Sequence, residues 1–560
     1  MLTLEPFTGQ LGEKNAAHLL RRATFGPTKQ DILTFASKTP DEALAILLAD
    51  VPVPDPPVDP KTGDTWLNPK AGTTNSAPED LVDYFMAWHL EQMRTSGNSA
   101  RERMTYFYHT HIPTRRTLVK NSESLYYQNS LFRYYAFGNF KALFRRICID
   151  NAMLVYLDGA TNQAGSPNEN FAREMLELYS IGKGPQIGEG DYTNYTETDV
   201  RQATRVLTGF TVDDTYTNLD EVTKIPIGKL ITEDSTGTVI KKLAVQHDKG
   251  QKTFSARFQN TVIEPSEIVD GYATDTATNA ELDALMDMIF NQDATAQFIC
   301  QKLYRFFVYH DIPDEVEAQI IEPLAATFKS NNYEIKPVLE QLLKSKHFYD
   351  SDNTDVSDDN QGALIKSPLE LILGTMRFFN VKLPDPGTDL SKLYQQTYQK
   401  GVLQMIYDQG LEFYEPFEVA GYPAYQKFPA YNRNWITPYY LAYRYKFAQW
   451  IIAGVNPDGD DLGCKMDILQ WVNDTNNVAD PSDPSQIVNG LIDYLIPFNM
   501  QDTRRNYFLN QVFLDGLYAA AWTAEWNKYK ADPAQNEASI RSNLELFISA
   551  LIQSPEYQLF

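Results

Sequence analysis

Two carboxylates and an amide occur at helical spacing in a polar run of the sequence, residues 158–179. If this run is a helix, steps of four and three residues place Asn170, Glu174 and Glu177 on one face. Carboxylates exchange protons and, together with amides, ligate hard cations. We therefore predict Glu174 and Glu177 as catalytic acid or base. Substrate-binding roles are predicted for Asn168, Asn170 and Arg173.

A structural interpretation of the same run stays open. Arg173 and Glu177 are also four residues apart and are expected to pair. A buried network of arginine and glutamate that ties the helix to its neighbours would concentrate the same charges. The sequence does not choose between a site and a network.

A His-x-His pair, His109 and His111, offers a second kind of chemistry. In an extended strand the two rings would share a face and could bind one metal ion, whereas in a helix they would point about 200° apart. The preceding helix must end close to Pro113, because proline disfavours helical backbone in the residue before it. We predict the pair as metal ligands. The alternative is that one histidine caps the helix or fills the core.

The run from Gln246 to Thr253 combines a histidine, an aspartate and a lysine. His247 is a candidate catalytic base, which Asp248 could orient, and Lys252 could bind an anion. A solvated loop would also account for this composition. We expect His247 to share one pocket with His109, His111 and Glu174. These ligands are compatible with a divalent metal ion and identify no other cofactor.

The chain has 560 residues and a formal net charge of −24 at pH 7. So acidic a chain argues against a nucleic-acid partner, because affinity for nucleic acids draws on clustered Lys and Arg. No apolar run approaches the ~20 residues that cross a bilayer. Residues 1–22 lack the basic and apolar regions of a signal peptide. Nucleotide-binding, zincin and serine-esterase motifs are absent from the sequence.

Recurring helix-start signals indicate the elements that position these side chains. A hydroxyl residue followed three positions later by a carboxylate can satisfy free N–H groups of a first helical turn. The pattern occurs at Thr39, Ser76, Ser99, Ser166 and Thr196. Apolar residues at helical spacing follow these starts. We predict a mainly α, large multi-helix globular fold.

One region departs from the helical pattern. Residues 229–232 and 239–243 alternate around a Ser-Thr-Gly turn, which predicts a small β-hairpin insertion. The predicted organisation is an N-terminal helical region with the polar site (1–212), a β-rich insertion (213–260) and a C-terminal helical region packed on the first (261–560).

Several blocks of the sequence resemble the bacterial DUF1800 family, which is named for its unknown function. Ala17–Thr28 resembles the opening motif of the family, and Arg101–His111 resembles its R-E-K-M-T-x-F-W-H-N-H-F block. Further similar blocks follow in the family's order at 153–158, 168–182, 195–210, 247–254, 302–308 and 554–558. Where the family has W-H-N-H-F and P-x-x-V-x-G-W, this chain changes the aromatic residues in Tyr108–Ile112 and Pro416–Tyr422.

The resemblance implies a location but no reaction. Many members carry export signals and are encoded beside sulfatase-like proteins, which implies an extracellular or cell-envelope setting. Because the chain as given shows no leader, a cytoplasmic location and an intracellular scaffold role stay open. We expect an exported or cell-surface protein whose polar pocket binds or hydrolyses an extracellular polymer. The alternative is a non-catalytic structural or assembly protein of the envelope, with another envelope protein as partner.

Overall fold

The computed structural model describes residues 2–68, 70–233, 237, 239–240, 242–355, 359–456 and 458–560. Part of the predicted hairpin turn, Ser235 and Thr236, therefore lies outside the described residues. Helices dominate the rest of the chain, and short antiparallel strands make up the remaining regular structure. The prediction of a mainly α fold with a small β-hairpin region is confirmed.

The helices of the first part of the chain are α1 (Gly12–Ala23), α2 (Lys29–Ala36), α3 (Pro40–Leu47), α4 (Pro78–Thr95), α5 (Arg101–His111), α6 (Arg116–Val119), α7 (Ser122–Tyr134), α8 (Phe140–Ile147), α9 (Asn151–Tyr156), α10 (Asn170–Glu174), α11 (Glu197–Val206), α12 (Asp275–Phe290) and α13 (Asp293–Phe307). Those that follow are α14 (Asp314–Val316), α15 (Glu322–Ser330), α16 (Ile335–Leu343), α17 (Pro368–Phe378), α18 (Gln404–Asp408), α19 (Pro423–Gln426), α20 (Pro438–Ala453), α21 (Ile468–Asn473), α22 (Pro484–Leu495), α23 (Asp502–Tyr507), α24 (Ala519–Ala531) and α25 (Pro533–Ile552).

Wider π-helical turns interrupt or extend several helices, at Met175–Ser180, Glu317–Ile321, Lys392–Leu403 and Phe508–Phe513. Short 3₁₀ turns occur at Gly159–Thr161, Ala256–Phe258, Tyr431–Ile436 and Pro555–Gln558. The π turn at Met175 continues directly from α10 and so changes the angular spacing of the side chains beyond Glu174.

The strands are β1 (Gln186–Gly188), β2 (Asp191–Tyr192), β3 (Phe210–Thr211), β4 (Lys229–Leu230), β5 (Leu243–Ala244), β6 (Lys252–Thr253), β7 (Val262–Ile263), β8 (Ile268–Val269) and β9 (Tyr272–Thr274). All described pairings are antiparallel: β1 with β2, β3 with β4, β6 with β7, and β9 between β5 and β8. Strands β3 to β9 lie between α11 and α12, whereas β1 and β2 precede α11.

Two predicted capping boxes are confirmed and three are wrong. Thr39 and Thr196 each exchange hydrogen bonds with the carboxylate residue three positions later. Ser76 instead bonds the Asp59 carboxylate, so α4 begins after Ala77. Ser99 accepts a bond from the Arg101 N–H, and Ala100 precedes α5. The Ser166 prediction placed the helix start at Pro167, but α10 begins at Asn170.

That late start follows from side-chain bonds to the backbone. The Asn162 amide oxygen accepts the Asn168 N–H at 3.0 Å, and the Asn168 amide oxygen accepts the Asn170 N–H at 3.0 Å. Asparagine bonds of this kind favour turns over helix.

A continuous buried apolar cluster runs from Leu11 to Tyr557 and includes Phe254 and Phe258 from the region between α11 and α12. The division at 212 and 260 stays a prediction, because residues from all three predicted regions share this core. Within the described residues, no helix combines the length and apolar character needed to cross a bilayer.

Candidate functional site

The helix that carries the predicted carboxylates holds them in different surroundings. Glu177, in the π turn, accepts hydrogen bonds from the Lys183 ammonium and from the Tyr195 hydroxyl, both at 2.9 Å. Arg173 pairs with Glu197 at 2.7 Å. The expected pairing of Arg173 with Glu177 is therefore wrong, because the π turn removes their four-residue alignment.

Glu174 has no such partner. Its side chain is half-buried, and within the described residues no hydrogen bond or ion pair involves its carboxylate. Burial raises the pKa of Glu174, the neighbouring Glu177 carboxylate adds to the rise, and Arg173 and Lys183 oppose it. Two nearby carboxylates thus differ in environment, which is the condition under which one can hold a proton while the other stays charged.

The Tyr156 hydroxyl lies close enough to Glu174 to be affected by its charge, and it was not predicted from the sequence. It is buried and has no hydrogen-bond partner among the described residues. Its pKa is raised to about 12, mainly by burial; the Glu415 and Glu174 charges add to the rise and Arg115 opposes it. Arg115 and Glu415 pair with each other at 2.7 Å. We call these residues, Glu174, Glu177, Tyr156, Arg115 and Glu415, the Glu174 site.

The other predicted residues of this segment make contacts that do not involve the Glu174 carboxylate. Asn168 makes the turn before α10, as described above. Asn170 is exposed and approaches Asp158 at 3.4 Å. Arg173 is committed to Glu197 and, at 3.3 Å, to Glu169. Neither Asn170 nor Arg173 bonds to Glu174.

His109 is buried on the side of α5 that faces residues 413–422. Its Nε2 atom lies 3.1 Å from the Tyr422 hydroxyl, and its ring centroid lies 4.2 Å from that of Tyr414. Its Nδ1 atom is buried without a hydrogen-bond partner in the described structure. Burial lowers the pKa of His109 to about 3, so its imidazole is neutral at physiological pH.

His111 occupies a different environment at the end of α5. Its Nε2 atom donates to the Tyr179 carbonyl at 3.0 Å, and its ring packs against Phe107 and Phe298. Burial lowers its pKa to about 3, with the Lys302 charge adding to the effect. The bond to Tyr179 attaches α5 to the helix that carries the Glu174 site.

The structure does not bring the two α5 rings together. The backbone stays helical through His111, so residues two apart face different directions. Their ring neighbours do not overlap. Throughout the ranges that the structure describes, no group of three or more His, Cys, Asp or Glu side chains is arranged to hold a metal ion.

His247 and Lys252 belong to a third, fully buried group centred on Glu281 of α12. The His247 Nδ1 atom donates to the Thr208 carbonyl at 2.8 Å, and Nε2 lies 3.2 Å from Glu281. The Lys252 ammonium donates to the other Glu281 oxygen. Asp248 instead pairs with Arg205 at 2.9 Å, nearer the surface. No described hydrogen bond joins this group to α5 or to Glu174.

Sequence reasoning missed Glu281, although a signal was available. It lies four residues from both Ala277 and Leu285, on the buried face of α12. A carboxylate on such a face needs a buried cationic partner.

A loop next to the site exposes aromatic rings. The Tyr179 hydroxyl donates to the Val419 carbonyl at 3.0 Å. Gly421 lies so close to α5 that a Cβ atom there would be 2.7 Å from the Thr110 carbonyl oxygen, and its φ is +103°. From this anchored loop and its continuation Phe417 and Phe428 project, 80% and 75% exposed. Rings so exposed are available to contact a ligand.

The fold and site define a large, mainly helical protein with a half-buried, unpaired glutamate whose charge acts on a buried tyrosine hydroxyl. The model of the family described as "Protein of unknown function (DUF1800)" matches residues 18–559, nearly the whole chain, and the chain belongs to this family. No curated protein and no solved structure matches it.

Proposed function

We propose that this is an exported or cell-surface protein that binds an extracellular polymer at the Glu174 site and hydrolyses it by acid–base chemistry. The observation that carries the proposal is that two groups without hydrogen-bond partners in the described structure, the Glu174 carboxyl and the buried Tyr156 hydroxyl, lie close enough for the Glu174 charge to raise the pKa of Tyr156. Buried polar groups are normally satisfied, so exceptions often mark functional positions. The cell-surface setting rests on the family resemblance.

In this reaction Glu174 exchanges a proton with substrate. A raised pKa favours the protonated form of its carboxyl, which can donate a proton to the leaving oxygen and then accept one from the attacking water. The Tyr156 hydroxyl is free to donate a hydrogen bond to a substrate oxygen. Glu177 is already engaged, because the Lys183 ammonium and the Tyr195 hydroxyl both donate hydrogen bonds to it.

The charge and aromatic rings favour an uncharged polymer. A net charge of −24 repels polyanions. Phe417 and Phe428 present flat apolar faces that can stack on sugar rings. A neutral polysaccharide fits both observations.

Binding is measured as retardation of the protein in gels that contain a soluble neutral glucan, with polygalacturonate as the anionic comparison. Hydrolysis is measured as the release of reducing ends. We expect retardation by a neutral glucan, loss of retardation in Phe417→Ala and loss of hydrolysis in Glu174→Gln. Tyr518→Ala is the matched control, because Tyr518 is an 88% exposed aromatic outside the loop that holds Phe417. Equal retardation of Phe417→Ala and the native protein would count against the proposal.

A non-catalytic structural or assembly role is the second candidate. It is supported by the many predicted site residues that are held in ion pairs or buried contacts, namely Arg173, Asp248, Lys252 and His247. It predicts no reducing ends from any polymer and a lower melting temperature in Glu174→Gln.

A further inference from the structure

Five cationic side chains are buried together where α1, α5, α17 and α20 meet. We call them the basic cluster: Arg21, Arg22, Arg103, Lys366 and Arg444. Each is less than one-tenth exposed. Arg21 and Arg22 end α1, Arg103 is in α5, Arg444 is in α20, and Lys366 precedes α17.

The carboxylates near the basic cluster are too few to balance its positive charge. Glu370 pairs with Arg103 through one oxygen, and its other oxygen accepts the Ser367 N–H at the start of α17. Within the described structure the other four cations have no carboxylate within 4.0 Å. Asp350 acts on Arg22 from farther away, and its oxygens accept backbone N–H groups of Asn360 and Gln361.

Backbone carbonyls satisfy only part of the donor groups. Arg21 donates to Tyr494 at 2.7 Å, Lys366 to Tyr557 at 2.6 Å and Arg444 to Lys366 at 2.9 Å. The Nε and Nη1 atoms of Arg22 and Nη1 of Arg444 are buried without a hydrogen-bond partner in the described part of the chain. Unsatisfied buried donors are costly, so they add to the uncompensated positive charge of the cluster. Neither Arg22 nor Arg444 lines the two cavities beside the cluster.

The cluster adjoins two small cavities that share Glu370 and Phe560. The larger, of about 40 Å³, is lined by Arg21, Lys366, Tyr494 and Tyr557. The smaller, of about 30 Å³, is lined by Arg103 and Arg305. Since one water needs roughly 10–15 Å³ by this measure, the larger cavity has room for about three waters or one small tetrahedral anion.

Burial of like charges also perturbs the protonation of these groups. Desolvation lowers the pKa of Arg22 and of Arg444 to about 9. Desolvation, with the charges of Arg21 and Arg444, holds the pKa of Lys366 well below its usual range. A bound anion would oppose both causes.

We propose that the larger cavity binds a small inorganic oxyanion of the phosphate or sulfate type, held by Arg21 and Lys366 and neutralised by the rest of the basic cluster. The cavity is too small for an esterified sugar or a polymer. The anion would join α1, α17 and the segment around Tyr557, so it stabilises the fold independently of the Glu174 site.

The experiment measures the melting temperature of the whole chain in inorganic phosphate, in sulfate, in glucose 6-phosphate and in chloride at equal ionic strength. We expect a rise that grows with phosphate or sulfate concentration, as for any ligand of the native state, and no rise with chloride. A rise with glucose 6-phosphate alone, or no rise beyond that in chloride, would overturn the proposal.

The matched variants are Lys366→Met and Lys528→Met, the latter on an exposed face of α24. Lys366→Met keeps the aliphatic stem and removes a buried charge that has no carboxylate partner, so we expect it to fold. Calorimetric titration with phosphate should show at least about tenfold weaker binding, equivalent to ~1.4 kcal/mol. Lys528→Met should bind like the native chain. Arg21→Met is the second variant, and unchanged phosphate affinity in both cavity variants would refute the site.

Discussion

His109 and His111 couple the stability of this protein to pH. Both are buried with pKa values of about 3, whereas an unfolded histidine titrates near 6.5. The folded state therefore binds no proton there while the unfolded state does. Stability is fully present above about pH 6.5 and is lost as the pH falls towards the folded pKa, by up to about 1.4 kcal/mol per unit for each histidine.

Urea unfolding of the native chain and of His109→Gln at several pH values measures this effect. We expect the free energy of unfolding of the variant to fall less steeply between about pH 6 and 4.5, by about 1.4 kcal/mol per unit. Equal slopes would show that His109 is protonated in the folded state.

The Glu281 group makes a second prediction for individual residues. Glu281→Gln leaves Lys252 buried without a carboxylate, so unfolding should become easier by ~3–5 kcal/mol. Asp248→Asn, in the more exposed pair with Arg205, should cost only about 1 kcal/mol.

The double variant Lys252→Met/Glu281→Gln checks the cause. It removes both charges, so it should recover a large part of the stability lost in Glu281→Gln. Additive losses in a denaturant titration would mean that the two charges do not depend on each other.

At the scale of elements, the same capping motif forms a helix start at one position and not at another, because the surrounding contacts differ. Thr196→Ala removes a cap that the structure contains, and should destabilise the protein by ~0.5–2 kcal/mol. Ser166→Ala removes the hydroxyl of a similar motif at a position where no helix begins. The denaturation midpoint of this variant should therefore equal that of the native chain. A comparable loss in Ser166→Ala would indicate a helix start at Pro167.

The sequence was informative wherever short-range periodicity decides the outcome. It predicted helices over most of the chain, the strands near 230 and 243, and the end of α5 before Pro113. It could not predict the π turn at Met175, because nothing in the local pattern distinguishes it from an α-helical turn. That turn decides which partners Arg173 and Glu177 find.

The site was predictable only in part for a related reason. Glu174 and Glu177 were found because they lie close in sequence. Glu415 and Glu281 reach their partners from distant segments, and Tyr156 comes from a different helix than Glu174. Single-sequence spacing carries no information about such neighbours. The shared pocket of His109, His111, Glu174 and His247 was expected on residue type alone, whereas the structure divides these side chains among separate environments.

At the scale of the whole molecule, a large apolar core is crossed by buried ionic groups whose charges are mostly matched. The basic cluster and the Glu174 site are two examples of groups that depart from that balance. The net charge of −24 does not reveal either of them. We regard the Glu174 carboxyl as the functional exception, because it remains accessible from solvent.

Glu174 is unpaired in the described structure, and we propose that it is kept so for function. Because its folded pKa is raised, its contribution to stability is present below the unfolded pKa of ~4.3 and lost as the pH rises through the folded value. At pH 7 the charged carboxylate therefore costs stability, which Glu174→Gln would relieve. Glu177→Gln instead loses a charged bond to Lys183 and should cost about 1 kcal/mol.

Thermal unfolding of these two variants beside the native chain, at pH 7 and at about pH 4, tests the claim most directly. We expect Glu174→Gln to melt at or above the native temperature at pH 7 and this difference to disappear at the lower pH. Glu177→Gln should melt lower than the native chain at pH 7. A fall in the melting temperature of Glu174→Gln as large as that of Glu177→Gln would contradict the claim, since Glu174 would then be a paired structural residue.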